Sequence, residues 1–251
     1  MSLIRRDFAA TLVHGLGSQE AALKLDPSRH RRIIAAGPYA SSGIHLVFDA
    51  EAVPLAPESV DCILSLLTLQ SINDLPGALI QMHRALKPDG LFLACLFGGQ
   101  TLWELRAAWL AAESEHRAGV TPRVSLFADV REMGNLLQRA GFALPVADSD
   151  RTIVRYPNAL ALMREVKAMG FANALADRSR RPVTPALLAK AAAAYGEHFS
   201  DPDGKVRATV EIVWLTAWAP HESQQQPLRP GSATARLADA LATTETRLPR
   251  D

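Results

Sequence analysis

Three places in this 251-residue chain put residues suited to ligand contact near or directly after the end of an apolar, strand-like segment. Asp49 follows HLVF, Leu67 lies near the end of VDCILSLLTL, and residues 97–99 (FGG) end LFLACLF. In a doubly wound α/β sheet, ligands bind at the carboxyl ends of the strands. The order of these segments therefore predicts that the three places surround one small-molecule site.

Several other kinds of catalytic site are not recognisable in the sequence. The seven histidines include no HExxH and no His-x-Asp/Glu pair, so neither a zinc protease nor a facial-triad iron oxygenase is indicated. Glu113 and His116 have the spacing of one di-iron ligand pair, but such sites need two copies, and a solvated helix face explains the pair better. Gly-x-Ser-x-Gly is absent. We therefore assign no metal ligand and no catalytic residue.

Composition and charge limit the classes of protein and partner. Apolar residues make up 48% of the chain and the formal net charge is +1, which favours a globular protein and gives no bulk attraction to nucleic acid or an anionic membrane. No run approaches the roughly 20 apolar residues that span a bilayer. Cys62 and Cys95 lie in predicted neighbouring strands, where thiols act as small buried hydrophobes. These features predict a cytoplasmic protein without an integral membrane segment.

The elements that position the candidate site alternate between strands and helices. Residues 8–13, 60–69 and 91–97 are predicted as buried strands, and residues 75–86 as a helix capped by Asn73-Asp74. The predicted fold is a doubly wound, mostly parallel, seven-stranded α/β sheet with a helical insert before the last strands. Residues 1–220 are predicted to form this domain, with the insert at about 100–140. Residues 221–251 are predicted to form a flexible polar tail.

The segment FDAEAVPLAPESVDCILSLLTLQSINDLPGALIQMHRALKPDGLFLACLFGG resembles a class I, S-adenosylmethionine-dependent methyltransferase domain of the type-11 group. FGGQTLWELR, ALMREVKAMG, DPDGKVRATVEIVWLTAW and the tail HESQQQP with RPGSA resemble a narrower set. That set contains the complex I assembly factors that hydroxylate an arginine, their bacterial relatives and the malonyl-carrier-protein O-methyltransferases. The resemblance covers about residues 8 to 234.

The resemblance implies S-adenosyl-L-methionine as the cofactor and names the residues that would bind it. Gly15 and Gly17 match two of the three glycines that let the backbone approach the cofactor. Asp49 matches the carboxylate that receives the adenine amino group, and Ala50 beside it would donate a backbone N–H. Leu67 completes the predicted contacts. An ordinary strand-to-helix turn also explains the two glycines, and a local turn cap also explains Asp49.

Two anchors of the family pattern are missing from this sequence. Val13 stands where strand one normally ends in a carboxylate, and IIAAGP contains no acid to pair with the ribose hydroxyls. A hydrogen bond to a charged group contributes about 1.5 to 3 kcal/mol. Losing the ribose carboxylate therefore lowers the expected affinity by roughly one to two decades.

Two functions of different classes follow from these observations. The first is a methyltransferase or protein-arginine-hydroxylase-like factor that acts on a complex I subunit-like protein. Hydroxylation would require an oxidant or metal that the sequence does not reveal. The alternative is a degenerate, non-catalytic methyltransferase-like scaffold that uses its insert and its tail, including His221-Glu222-Ser223, to bind a protein partner.

Overall fold

A seven-stranded sheet forms the centre of the computed structural model, which describes residues 6–15, 17–114, 122–225 and 243. In chain order the strands are β1 (Phe8–Gly15), β2 (His30–Gly37), β3 (Leu46–Val47), β4 (Val60–Leu66), β5 (Leu86–Phe97), β6 (Ala143–Tyr156) and β7 (Val206–Trp218). Their order across the sheet is β3-β2-β1-β4-β5-β7-β6. The first five strands pair in parallel, and β7 runs antiparallel to both β5 and β6. The predicted fold class is confirmed.

Six helices flank the sheet in the part of the chain that the structure describes. They are α1 (Ser18–Lys24), α2 (Leu75–Ala85), α3 (Trp103–Ser114), α4 (Val130–Arg139), α5 (Ala159–Ala168) and α6 (Pro185–Phe199). The Asp74 carboxylate caps α2 by accepting from the Gly77 N–H at 2.9 Å, as the sequence predicts. Asp129 and Glu132 form a capping box at the start of α4, which satisfies two free N–H groups at once.

The central strands are apolar on both faces because helices or other apolar side chains cover both sides of the sheet. Leu12 and Val13 on β1 and Ile63 on β4 are fully buried. Cys62 and Cys95 are free thiols buried on β4 and β5, and burial raises the pKa of Cys62 to about 12. Both cysteines therefore act as core residues, as the sequence predicts.

The third strand is much shorter than its sequence predicts. GIHLVFDA indicates a full strand, but only Leu46 and Val47 pair with β2. Before them the His45 side chain takes the place of a strand partner, because its Nδ1 accepts the Ala35 N–H at 3.0 Å. A side chain that occupies a backbone donor in this way ends the regular pairing.

A second hydrophobic cluster lies beside the main core and is formed by α3, α5 and α6, which we call the helical cap. Its buried side chains pack on the start of β7 and include Leu105, Trp109, Leu162, Ala191, Tyr195 and Val206. Of the two helices in the predicted insert at about 100–140, α3 joins this cap, whereas Met133 and Leu137 of α4 pack into the main core.

Polar groups inside the helical cap are paired. The buried Glu104 carboxylate accepts both the backbone N–H and the hydroxyl of Thr209. The Tyr195 hydroxyl donates to the Arg207 carbonyl at 2.7 Å, and Arg123 forms an ion pair with Glu113 at 2.6 Å. These pairs offset the cost of burying polar atoms.

The chain divides into two compact units, Met1–Pro220 and His221–Asp251. In the second unit the structure describes residues 221–225 and 243, where the His221 Nδ1 lies 2.7 Å from the Ser223 hydroxyl. Most of the predicted tail at 221–251 lies outside the described residues. His116, which has the spacing of a di-iron ligand pair with Glu113, also lies outside them. None of the helices described here has the length and apolar character to cross a bilayer.

Candidate functional site

A cavity of about 900 Å³ opens at the carboxyl ends of β1, β2 and β4. This volume lies within the roughly 300–1,000 Å³ that is typical of small-molecule sites. All five predicted contact residues line it, namely Gly15, Gly17, Asp49, Ala50 and Leu67. The structure thus brings together residues that are up to 52 positions apart in the sequence.

Gly15 must be a glycine for a steric reason that involves the neighbouring strand. A Cβ atom on Gly15 would lie 2.2 Å from the Leu66 carbonyl oxygen, and the residue has φ +104°. Gly17 also has positive φ, at +66°, but a Cβ there would make only an ordinary contact, at 3.6 Å from the Glu20 carboxylate. The turn between β1 and α1 therefore brings bare backbone to the wall of the cavity.

Asp49 forms a local turn at the edge of the cavity. Its Oδ1 accepts the Glu51 N–H at 2.9 Å, and its carbonyl accepts the Ala52 N–H at 2.8 Å. Among the described residues, Oδ2 has no hydrogen-bond partner. The turn-cap explanation of Asp49 and a ligand contact through Oδ2 are therefore compatible.

Leu67 lies in the turn after β4 with φ +45°, which is uncommon for a branched residue. Its N–H donates to the Cys95 carbonyl at 2.9 Å, and its carbonyl accepts from Gln70 at 2.6 Å.

Residues 97–99, in contrast, do not line the cavity. The Gly98 N–H bonds to the Glu211 carbonyl, and a Cβ on Gly98 would lie 2.6 Å from the Glu211 carboxylate, so tight packing explains this glycine.

The two missing anchors are missing from the site as well as from the sequence. Val13 is fully buried and packs against Cys62, Leu64 and Leu91 on the face of the sheet away from the cavity. At the end of β2, Gly37 and Pro38 line the cavity without a carboxylate.

His14 is a cavity residue that the sequence reasoning missed. It is 1% exposed, and its ring stacks on Phe48 at a centroid distance of 4.7 Å. Burial lowers the pKa of His14 to about 4, so its imidazole is neutral at physiological pH. A signal was present in the sequence, since His14 is a titratable residue between an apolar strand and a glycine.

The loop after α5 also contributes to the cavity, which the sequence did not indicate. Met169, Gly170 and Phe171 line one side, and the Phe171 ring packs edge-on against Phe97 at 4.7 Å. Farther along this loop, the Ala176 N–H donates to the Asn73 side chain at 2.7 Å. The loop between α5 and α6 is thus held at the edge of the cavity.

Asn73 is held in turn by Glu51 at the edge of the cavity. The Glu51 carboxylate accepts the Asn73 backbone and side-chain N–H groups at 2.6 and 2.9 Å. These hydrogen bonds to Asn73 lower the pKa of Glu51. The segment after β3, the start of α2 and the loop after α5 are therefore linked through one asparagine.

The strand order and the site at the ends of β1, β2 and β4 define a class I methyltransferase-type domain. The family model described as a methyltransferase domain matches residues 9–94. The YcgJ protein from Bacillus subtilis has the same fold, with a TM-score of 0.58 at 13% identity over 86% of this chain and 94% of that chain.

Curated relatives narrow the class to a family. The arginine-hydroxylase NDUFAF5 of Danio rerio is 42% identical over 76% of this chain and 59% of its own length, and that of Mus musculus is 37% identical over 94% and 71%. A malonyl-[acyl-carrier protein] O-methyltransferase of Halorhodospira halophila is 35% identical over 78% and 65%. The chain belongs to the methyltransferase-fold family that contains the NDUFAF5 arginine-hydroxylases. It spans less than three fifths of the length of the Danio rerio, Rattus norvegicus and Homo sapiens relatives.

The relatives also correct one prediction. The arginine-hydroxylases of Danio rerio, Rattus norvegicus and Homo sapiens are named as mitochondrial proteins. The predicted cytoplasmic location is therefore wrong. Composition and the lack of a long apolar run do not indicate location, because neither reports the compartment in which a folded protein works.

Proposed function

We propose that this chain binds S-adenosyl-L-methionine in the cavity and acts as an arginine-hydroxylase-like or methyltransferase factor in the assembly of respiratory complex I. The substrate in this proposal is an arginine side chain of a complex I subunit-like protein. The observation that carries the proposal is that all five predicted contacts line a single cavity of about 900 Å³. Membership in the NDUFAF5 family supports the substrate class.

The residues of the cavity fit an adenosyl ligand. Phe48 and Ile72 provide apolar surface for a purine ring, and Asp49 provides a carboxylate oxygen beside the Ala50 N–H. Gly15 and Gly17 leave bare backbone where the methionine part would lie. This mixture of apolar walls with a few polar groups is typical of cofactor sites.

When bound, the cofactor supplies an electrophilic methyl group. The chain's own residues contribute mainly by holding and orienting the ligand, since transfer between aligned groups gains most from proximity. Met169 and Phe171 cover one side of the cavity and would exclude water from it. Methyl transfer to an arginine would also require a base that takes a proton from the guanidinium, which is charged at physiological pH.

Isothermal titration of the purified chain with S-adenosylmethionine and S-adenosylhomocysteine tests this proposal. We expect micromolar dissociation constants, because two charged anchors of the family pattern are absent. Asp49→Ala should lower the affinity about tenfold. Asp148→Ala is a matched control, because Asp148 is also exposed and accepts a local N–H but lies on β6. An equal loss in both variants would argue against the assigned contact.

A non-catalytic scaffold is the second candidate, and the missing anchors favour it. Val13 is buried away from the cavity, and Gly37 and Pro38 leave the end of β2 without an acid. This candidate predicts no heat with millimolar ligand, together with capture of a complex I subunit by the purified chain.

We also propose that residues 1–220 form the methyltransferase-like domain and that residues 221–251 form a separate tail for a protein partner. A chain shortened to residues 1–220 should then keep its melting temperature and its ligand affinity. Unchanged capture of the partner by the shortened chain would argue against a binding role for the tail.

A further inference from the structure

Neither ring nitrogen of His14, at the end of β1, has a hydrogen-bond partner among the described residues. His14 Nδ1 is fully enclosed and has no hydrogen-bond partner. The other ring nitrogen, Nε2, also has none among the described residues, but it is not enclosed, and the ring lines the cavity. Nε2 is therefore the nitrogen that a ligand in the cavity can reach.

Ser65 lies next to His14 and is unpaired as well. The two residues are in register on neighbouring strands β1 and β4, and their side chains point to the same face of the sheet. Ser65 is fully buried and its hydroxyl has no partner. Two unpaired polar groups side by side are costly in a core, and of the two side chains only His14 lines the cavity, where a ligand can reach its Nε2.

The position of His14 relates it to the missing ribose anchor. Its register partner on β2 is Ala36, directly before Gly37, where the family's ribose carboxylate would follow. Neighbouring strands are about 4.8 Å apart, so the backbone of His14 lies one strand spacing from the residue that precedes the vacant anchor position. Because Ala36 is small, the Phe48 ring reaches across β2 and stacks on His14 at an interplanar angle of 27°. The ring is thereby held in one orientation beside Asp49.

The chemistry of the imidazole selects the kind of ligand group. A neutral imidazole donates one hydrogen bond and accepts one, and it carries no charge to attract a carboxylate. Since only Nε2 faces the cavity, it makes one hydrogen bond, as donor or as acceptor according to the tautomer, and an uncharged hydroxyl can partner it in either case.

We propose that His14 Nε2 hydrogen-bonds a ribose hydroxyl of a nucleoside ligand in this cavity and so replaces the carboxylate that is absent from the end of β2. The inference rests on the proposed adenosyl site and adds a specific contact to it. Phe48 holds the imidazole in place by stacking on it.

Titration with S-adenosylhomocysteine and its 2′-deoxy and 3′-deoxy analogues tests the contact. His14→Phe keeps a ring to stack on Phe48 but removes both nitrogens, and should weaken S-adenosylhomocysteine binding about threefold to tenfold. One of the deoxy analogues should bind the wild-type chain more weakly by a similar factor, yet bind His14→Phe almost as well as the parent ligand. His14→Gln should recover part of the affinity.

His83→Phe is the matched control. His83 also has one enclosed nitrogen without a partner, and its ring packs on a phenylalanine, Phe142, at 5.0 Å, but it does not line the cavity. This variant should bind S-adenosylhomocysteine as the wild-type chain does. Equal affinities for His14→Phe and the wild type, or losses that simply add for both deoxy analogues, would overturn the His14 contact alone. No binding by the wild-type chain would overturn the adenosyl site and the contact with it.

Discussion

The helical cap and the cavity region, by which we mean the residues around the cavity at the ends of β1, β2 and β4, differ in the hydrogen bonding of their buried polar groups. In the cap, Glu104 and Tyr195 are paired with Thr209 and the Arg207 carbonyl. Beside the cavity, His14 Nδ1 and Ser65 Oγ are enclosed without partners. Paired polar groups fix a packed structure, whereas the other imidazole nitrogen of His14, Nε2, is open to the cavity and leaves a hydrogen bond for a ligand to complete. We infer that the cap contributes mainly to stability and that the cavity region contributes mainly to binding.

The largest expected effect on stability comes from truncating a buried side chain in the helical cap. Tyr195 is fully buried among cap residues, so Tyr195→Ala should lower the free energy of unfolding by about 3–5 kcal/mol. Tyr195→Phe loses only the hydrogen bond to Arg207 and should cost about 1 kcal/mol. Urea unfolding measures both. If Tyr195→Phe weakened S-adenosylhomocysteine binding more than twofold, the separation of the two regions would be wrong.

Lowering the pH should have a smaller effect on the free energy of unfolding, through His14 beside the cavity. Because burial lowers the pKa of His14 from 6.5 to about 4, the unfolded chain binds a proton between these values that the folded chain does not. Wild-type stability should therefore fall as the pH drops from about 6.5 to 4, and His14 should account for about 2 kcal/mol at pH 5.

His14→Phe removes this dependence, so its stability relative to the wild type should rise by about 2 kcal/mol between pH 7 and pH 5. Urea unfolding of both chains at the two pH values gives this difference. Parallel loss of stability in the two chains would show that His14 is not held neutral by burial.

The smallest effect concerns Asn73, which links the two regions. Asn73→Ala removes its side-chain bonds to Glu51 and to the Ala176 N–H, and should cost about 1 kcal/mol. The loop after α5 should also be cleaved faster in limited proteolysis. Asn158→Ala is the control, because it removes the cap of α5 at a similar cost without touching that loop. Equal cleavage of both variants would mean that Asn73 does not hold the loop.

Much of the fold could be predicted because its signals are local. The apolar run at β4 and the Asp74 cap of α2 each lie within a few residues of the element that they define. The length of β3 is less than its sequence predicts, because the His45 side chain accepts the Ala35 N–H in place of a backbone carbonyl. Strand pairing depends on such distant partners, which periodicity does not report.

The site was predictable only where it follows a family pattern. Gly15, Gly17 and Asp49 come from that pattern, and all three line the cavity. His14 departs from it, and its importance appears only when Phe48 and Ser65 are brought beside it. The loop with Phe171 lies more than a hundred residues away in sequence and carries no motif of its own.

The central claim is that an adenosyl ligand lies over the ends of β1 and β2, with its ribose beside the position of the missing acid. Gly37→Asp restores a carboxylate there, and a Cβ on Gly37 would meet nothing closer than 3.7 Å. In titrations with S-adenosylhomocysteine, the wild-type chain should bind with micromolar affinity and Gly37→Asp at least tenfold more tightly. No heat from either chain at millimolar ligand, or a weaker affinity in Gly37→Asp, would contradict the claim.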